Sequence, residues 1–172
     1  MCTAITFQTN RFYFGRTLDH NETYQEEVAV IPRRFPLSFL QKKCEHFAII
    51  GMATIANNYP LYYDATNEMG LSMAGLNFPG NAVYLPKQED KINLAPFELI
   101  PYLLGQCESV AQAEALLHMV SLTNTPFSDQ LPLTPLHWIV SDKERSIVAE
   151  PMADGLHLYE NPVGILTNNP PF

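Results

Sequence analysis

The order of local patterns along the chain restricts the fold more than any single motif. Short segments rich in β-branched and aromatic residues come first, two helical patterns follow, and short strand patterns then return. Strands and helices that occupy separate stretches of sequence are typical of α+β architectures, in which helices pack on antiparallel sheet. A chain of 172 residues is long enough for a real hydrophobic core, so one domain is predicted.

Strands are predicted where short apolar or alternating runs end at turn residues. They cover residues 3–7, 12–15, 27–31, 47–52, 71–76, 136–141, 147–150, 156–159 and 163–167. The run 47–52 is continuously apolar, which predicts a strand that is covered on both faces. The first two strands are predicted to form a hairpin, which would bring residues 16–19 beside the start of the chain.

Two helices are predicted in the middle of the chain. The first covers residues 97–104, with Pro96 at its start and Pro101 as a kink or as the end of a first turn. The second runs over residues 109–120 and opens on a capping-box pattern. Residues 124–135 are polar and contain three prolines, so a loop is predicted there.

Composition argues against several classes of partner. The formal net charge of −8 disfavours nucleic acid or an anionic membrane surface as the main partner. No signal-peptide pattern and no apolar run of about 18 residues is present, so a cytoplasmic protein without a membrane span is expected. The five histidines form no HxxxH or HxH pair, so no metal site is predicted. Cys44 and Cys107 are interpreted as small structural hydrophobes.

Cys2 directly follows the initiator methionine. If Met1 is removed, residue 2 carries both a thiol nucleophile and a free α-amine, which can act as the base for that thiol. Such a nucleophile needs a group that orients the amine, a cation near the thiol, and donors where an oxyanion forms.

Four residues are candidates for those supporting roles. Arg16 and Asp19 follow the second predicted strand, although a surface ion pair on a loop is the alternative interpretation. Asn77 and Asn168 lie in proline-containing loops and each offers an amide side chain. Asparagine beside proline is also ordinary turn chemistry, so that interpretation stays open.

Seven segments, taken together, resemble the choloylglycine hydrolase family of bile salt hydrolases and penicillin V acylases, which are N-terminal-nucleophile hydrolases. They are MCTAI (1–5), GRTLD (15–19), NYP (58–60), NEMGL (67–71), AGLNFP (74–79), PLHWIVSD (135–142) and GILTNNP (164–170). The resemblance implies the αββα sandwich of that family. Because family members are much longer, residues 1–172 are expected to be the N-terminal portion of a single such domain.

The resemblance also implies roles by position. Cys2 would be the nucleophile, Asp19 would hold its amine, and Arg16 would sit beside the thiol. Asn168 would donate to the oxyanion and Asn77 would complete the oxyanion hole. The steroid pocket of the family would be lined here by Leu18, Ala56, Tyr63, Phe127 and Leu131, and no cofactor or metal is implied.

The implied reaction is hydrolysis of the amide bond of glycine- or taurine-conjugated bile salts. Asn77 favours bile salts, since family members that prefer penicillin V tend to carry tyrosine there. Two alternatives stay open: hydrolysis of penicillin V or another N-acyl amide by the same groups, and a truncated, inactive fragment, which the abrupt stop at Phe172 would fit. The full-length form is expected to be a homo-oligomer, often a tetramer.

Overall fold

The computed structural model describes residues 1–19, 22–37 and 46–172, so His20 and Cys44 lie outside the described residues. The strands are β1 Thr3–Gln8, β2 Phe12–Thr17, β3 Glu27–Ile31, β4 Ile49–Ala56, β5 Tyr59–Asn67, β6 Ser72–Asn77, β7 Ile92–Leu94, β8 Val120–Leu122, β9 Leu136–Ser141, β10 Ser146–Met152, β11 Gly155–Glu160 and β12 Ile165–Thr167. The helices are α1 Leu99–Gln106, which follows a 3₁₀ turn at Pro96–Glu98, and α2 Val110–Leu117.

Most strands belong to two antiparallel sheets. The larger has seven strands in the order β11-β10-β9-β6-β5-β4-β3, and the smaller has three in the order β12-β1-β2. Strands β7 and β8 form a separate parallel pair. Helices packed on antiparallel sheet confirm the predicted α+β class.

The large sheet has a hydrophobic core on each face, because successive residues of a strand point to opposite sides. On one face Met73 packs with residues of the helices, such as Leu103 and Val110. On the other face Ala74 belongs to a smaller core that joins the two sheets. That core contains Cys2, Ala4, Ala74, Leu76, Ile139, Val148 and Leu166. The layers are therefore helices, large sheet and small sheet, with Cys2 between the sheets.

Two strand predictions are corrected by the structure. The strand predicted at 47–52 is β4, and it is covered on one face only, since Ile49 is 1% exposed and Ile50 is 51% exposed. The small sheet packs over β6, β9 and β10 instead of over β4. Strand β5 was not predicted; it contains Pro60, which is tolerated because it pairs with Ile55 at the strand's end.

The helices differ from prediction mainly at their ends. Helix α1 continues through Pro101 to Gln106, since proline in a first turn has no intrahelical amide bond to lose. Ser109 caps α2 as predicted, with its side chain accepting from Gln112 N. That helix ends at Leu117, because the residues from Val120 onward form β8 instead. No helix among the described residues is long and apolar enough to cross a membrane.

Candidate active site

Strand β1 places Cys2 between two other strand ends. It is the middle strand of the small sheet, where Thr3 pairs with Thr17 of β2 on one side and with Thr167 of β12 on the other. The predicted hairpin is therefore confirmed. Residues that follow β2 and β12 flank the start of the chain, and these include Asp19 and Asn168.

Cys2 is almost fully buried, with 5% of its surface exposed. Its backbone nitrogen donates a hydrogen bond to Asn168 Oδ1 at 2.6 Å. Because Met1 precedes it, that nitrogen is here an amide and has no basic lone pair. The next amide, of Thr3, donates to Thr17 Oγ1 at 3.0 Å. The contact with Asn168 thus fixes the atom that would become the α-amine after removal of Met1.

Asp19 pairs with the terminal ammonium group of Met1. This hydrogen bond is the main reason that the pKa of the Met1 α-amine is raised above its ordinary value. Both groups are largely exposed, at 75% and 64% of their side chains. The structure therefore places Asp19 on the amine at the chain start, which in this form belongs to the residue before Cys2.

Asn168 joins the Asn77 loop to Cys2. Its Nδ2 atom donates to the backbone carbonyl of Asn77 at 2.8 Å, while its Oδ1 atom accepts from Cys2. A side-chain amide has two donor hydrogens, so the second can serve another acceptor. The same two loops are linked again where Asn81 Nδ2 donates to Asn169 Oδ1 at 2.7 Å. Of the two predicted oxyanion residues, Asn168 therefore contacts Cys2 directly, and Asn77 is joined to Asn168 through its backbone carbonyl.

Arg16 is buried rather than exposed, with 5% of its side chain accessible. Its Nη1 atom donates to the carbonyls of Gly75 at 2.9 Å and Tyr63 at 3.2 Å, and its Nε atom donates to that of Thr17 at 3.2 Å. These bonds anchor the guanidinium between the two sheets. The alternative interpretation, that Arg16 belongs to a surface ion pair, is wrong.

Asp64, which lies on β5, was not among the predicted site residues. One carboxylate oxygen is 4.0 Å from Arg16 Nε. Burial raises the pKa of Asp64 above its ordinary value, although the Arg16 charge acts in the opposite direction. The available signal in the sequence was a single acidic residue within the otherwise uncharged run 59–67.

An open cavity of about 500 Å³ lies beside Arg16. Three acidic residues and three others complete its lining: Leu18, Glu22, Thr23, Glu26, Met52 and Asp64. Of the five predicted pocket residues, Leu18 lines it, whereas Ala56, Tyr63, Phe127 and Leu131 are not among its lining residues.

Among those four predicted pocket residues, the side chains of Tyr63 and Phe127 contact residues outside that lining. Tyr63 makes a 2.9 Å hydrogen bond with Thr54. The Phe127 ring contacts those of Tyr59 and Phe97, with centroids 5.9 and 5.1 Å apart. Of the five, only Leu18 thus lies at this cavity beside Arg16, and the role of all five in binding stays a prediction.

Metal-binding side chains do not converge at this site. Within residues 1–19, 22–37 and 46–172, no three or more His, Cys, Asp or Glu side chains are grouped so that they could hold a metal ion.

Comparison with known proteins places this geometry in a family. A family model described as linear amide C–N hydrolases, choloylglycine hydrolase family, matches residues 2–172. The bile salt hydrolase/transferase of Lactiplantibacillus plantarum is 52% identical to the chain over its whole length, and the chain covers 54% of that protein. The conjugated bile acid hydrolase of Lactobacillus gasseri is 38% identical, with 56% of it covered. The chain thus spans about half the length of these relatives.

Solved structures agree with the sequence relatives. A variant of the conjugated bile acid hydrolase from Clostridium perfringens superimposes on the whole chain with a TM-score of 0.93 at 33% identity, and 54% of it is covered. Penicillin V acylase from Agrobacterium tumefaciens gives a TM-score of 0.75 at 20% identity, with 53% covered. The second match shows a common fold alone.

Proposed function

The chain belongs to the choloylglycine hydrolase family of linear amide C–N hydrolases, and on that premise we propose that it hydrolyses conjugated bile salts with Cys2 as an N-terminal nucleophile. The observation that carries the proposal is the pair of hydrogen bonds that Asn168 makes to Cys2 N and to Asn77 O. These two bonds link the candidate base to Asn168 and, through Asn168, to the loop that carries Asn77, which supports the proposed arrangement. The bile salt hydrolases among the relatives support the choice of substrate.

Removal of Met1 would create the catalytic base. The Cys2 nitrogen would become an amine, still held by Asn168 Oδ1, which accepts from that nitrogen now. Asp19, which now pairs with the Met1 ammonium, would lose that partner and would pair with the new terminal amine instead. The neutral amine would take the thiol proton, and the thiolate would attack the substrate's amide carbon.

Each later step uses the same groups. The tetrahedral oxyanion would accept from the second Nδ2 hydrogen of Asn168, with Asn77 beside it. As the C–N bond breaks, the Cys2 ammonium would return its proton to the departing glycine or taurine nitrogen. Water, deprotonated by the same amine, would then cleave the thioester and release the free bile acid and the thiol.

Substrate would enter through the cavity beside Arg16. A conjugated bile salt is mostly apolar with one anionic end, and such ligands need an apolar surface with few polar contacts. Leu18 and Met52 supply apolar lining for the steroid. Arg16 supplies one cation, which the acidic lining residues Glu22, Glu26 and Asp64 outnumber, so the apolar part of the substrate is what this cavity would hold.

A second candidate is that this chain is a piece that acts only when joined to further polypeptide. The specific observation is the outer face of the small sheet, where Ile5, Phe7 and Tyr13 are 45%, 61% and 52% exposed. Adjacent exposed apolar side chains on a sheet are typical of a surface that another element covers. The share of the relatives that the chain spans supports the same interpretation.

The test is amine release from taurocholate and glycocholate by the purified chain after Met1 removal is verified by mass. Cys2→Ala is the blank, and Cys107→Ala is the matched control, because burial raises the pKa of that buried thiol to about 11. Release that survives Cys107→Ala and vanishes with Cys2→Ala supports the proposed hydrolysis. No release from a folded, processed chain would refute hydrolysis by this chain alone and favour the second candidate.

A further inference from the structure

His137 and Glu150 form a fully buried pair on neighbouring strands β9 and β10, with both side chains at 0% exposure. His137 Nδ1 lies 3.0 Å from Glu150 Oε1, and its Nε2 lies 2.8 Å from the backbone oxygen of Thr167. A carbonyl oxygen can only accept, so Nε2 carries a proton and donates it to Thr167. The ring is therefore held in one orientation from both sides.

This pair holds both ends of the segment that contains Asn168. Thr167, which accepts from His137, immediately precedes Asn168. At the other end of the segment, the amide of Phe172 donates to Glu150 Oε1 at 3.1 Å. The backbone from which Asn168 reaches Cys2 is thus attached to the buried pair on each side.

The same histidine ring also supports the Asn77 loop. Phe78 is fully buried and stacks on His137, with ring centroids 4.1 Å apart and an interplanar angle of 7°. Phe78 directly follows Asn77 in the chain. One imidazole therefore contacts the neighbours of both candidate oxyanion residues.

A contribution to stability does not explain why two ionisable residues occupy these buried positions. Apolar side chains of similar volume often replace a buried charged pair at equal or greater stability. Here the pair also leaves Glu150 Oε2 without a hydrogen-bond partner among the described residues. Burial of an acceptor without a hydrogen-bond partner lowers the stability of the fold.

We propose that His137 and Glu150 are positioning residues that fix Asn168 and Asn77 relative to Cys2. The proposal rests on the proposed function, since it takes the two asparagines as oxyanion donors. Neither residue of the pair touches substrate; the pair acts through the Thr167 carbonyl, the Phe172 amide and the Phe78 ring. A shift of about 1 Å at such donors can lower a rate by about 10²-fold.

The placement of Asn168 can be measured without any activity. In the chain with Met1 retained, the Cys2 amide donates to Asn168 Oδ1, so its hydrogen exchange reports whether that side chain stays in place. His137→Leu is expected to speed this exchange by about tenfold, the effect of losing one ordinary hydrogen bond. The amides of Val140 and Ile147, within β9 and β10, are expected to stay slow.

His46→Leu is the matched control. His46 is also a buried histidine whose ring nitrogens contact two backbone carbonyls, at 2.7 and 3.0 Å, but these belong to Phe47 and Phe35, not to the site. Its replacement is expected to leave Cys2 exchange unchanged. Unchanged exchange in His137→Leu, or equal acceleration in His46→Leu, would overturn the positioning role.

Glu150 offers a conservative comparison. Glu150→Gln keeps the side-chain length and an oxygen that accepts from the Phe172 amide and from a protonated Nδ1 of His137, whereas Glu150→Leu removes both contacts. Slow Cys2 exchange is expected to be kept by the first variant and lost in the second. Equal exchange in the two variants would contradict the proposal.

Two further measurements distinguish a failure of the positioning role from a failure of the proposed hydrolysis. If the chain releases amine from taurocholate, His137→Leu is expected to lower kcat by about 10²-fold with KM unchanged. If it releases none, the exchange results still decide the positioning role. Should His137→Leu fail to fold, nitrogen NMR of the unaltered chain applies: a protonated Nε2 is expected, and an unprotonated one would overturn the proposal.

Discussion

The carboxylate of Asp64 lies 4.0 Å from the Nε atom of the buried Arg16. Three backbone carbonyls already accept from that guanidinium, so Asp64 adds opposite charge without a direct hydrogen bond to it. The pKa of Asp64 is raised overall, which indicates that the removal of water from the carboxylate outweighs its attraction to Arg16. The ionised pair beside the cavity is therefore held at a cost to folding.

Asp64→Asn is expected to change how stability depends on pH. A carboxyl with a raised folded-state pKa stabilises the fold fully below its ordinary pKa of 3.8 and loses that contribution as the pH rises through the folded-state value. The unaltered chain should therefore lose stability relative to Asp64→Asn as the pH rises from 3.8. Thermal unfolding midpoints of both chains across this range measure the difference.

Asp154→Asn is the control for that experiment. A hydrogen bond from His157 lowers the pKa of Asp154, so the sign is reversed and the unaltered chain should gain relative stability as the pH rises. Parallel pH profiles for the Asp64 and Asp154 variants would contradict the argument from burial.

Glu68 provides a separate acid-sensitive contact. The Arg33 side chain, with help from the Ala48 amide, lowers the pKa of Glu68 from 4.5 to about 2. Stability from this contact is fully present above 4.5 and is lost as the pH falls toward about 2. Glu68→Gln should therefore flatten the acid limb of the unfolding curve. An acid limb unchanged by the substitution would show that Glu68 contributes nothing to it.

The fold was predictable where local patterns determine it. Two short runs rich in β-branched and aromatic residues predict the β1–β2 hairpin, and pairing alone then brings residues 16–19 to the chain start. The capping pattern at Ser109 predicts the start of α2. These inferences use only neighbours in sequence, and the structure confirms them.

The burial of Arg16 could not be predicted in that way. It depends on carbonyls of Tyr63 and Gly75, which come from strands far along the chain. Strand β5, which carries Tyr63 and Asp64, has a proline as its second residue and so lacked a clear strand pattern. The His137–Glu150 pair depends likewise on register between strands, which composition and spacing do not reveal.

Gly51 is expected to tolerate no side chain. A Cβ at that position in β4 would overlap the Asp64 carbonyl and lie 2.6 Å from Ala65 Cα, both of them backbone atoms that cannot swing away. Gly51→Ala should lower the free energy of unfolding by about 1–3 kcal/mol or more. Gly15→Ala, where nothing lies within 4 Å, should have little effect. Urea unfolding of the two variants measures both, and equal midpoints would refute the packing argument.

Asp19→Asn tests whether the acid beside the chain start serves the amine. In the chain with Met1, losing the charge should return the pKa of the Met1 α-amine toward 8.0, since Asp19 is the main cause of its rise. Titration of that amine by NMR measures this. In the processed chain the same substitution should lower turnover more than substrate binding, because the amine that Asp19 would hold moves protons in the chemical steps. Thr17→Val is the comparison, since Thr17 Oγ1 bonds the neighbouring Thr3 amide and not the terminus. An equal pKa of the Met1 amine in both variants would show that Asp19 does not interact with the start of the chain.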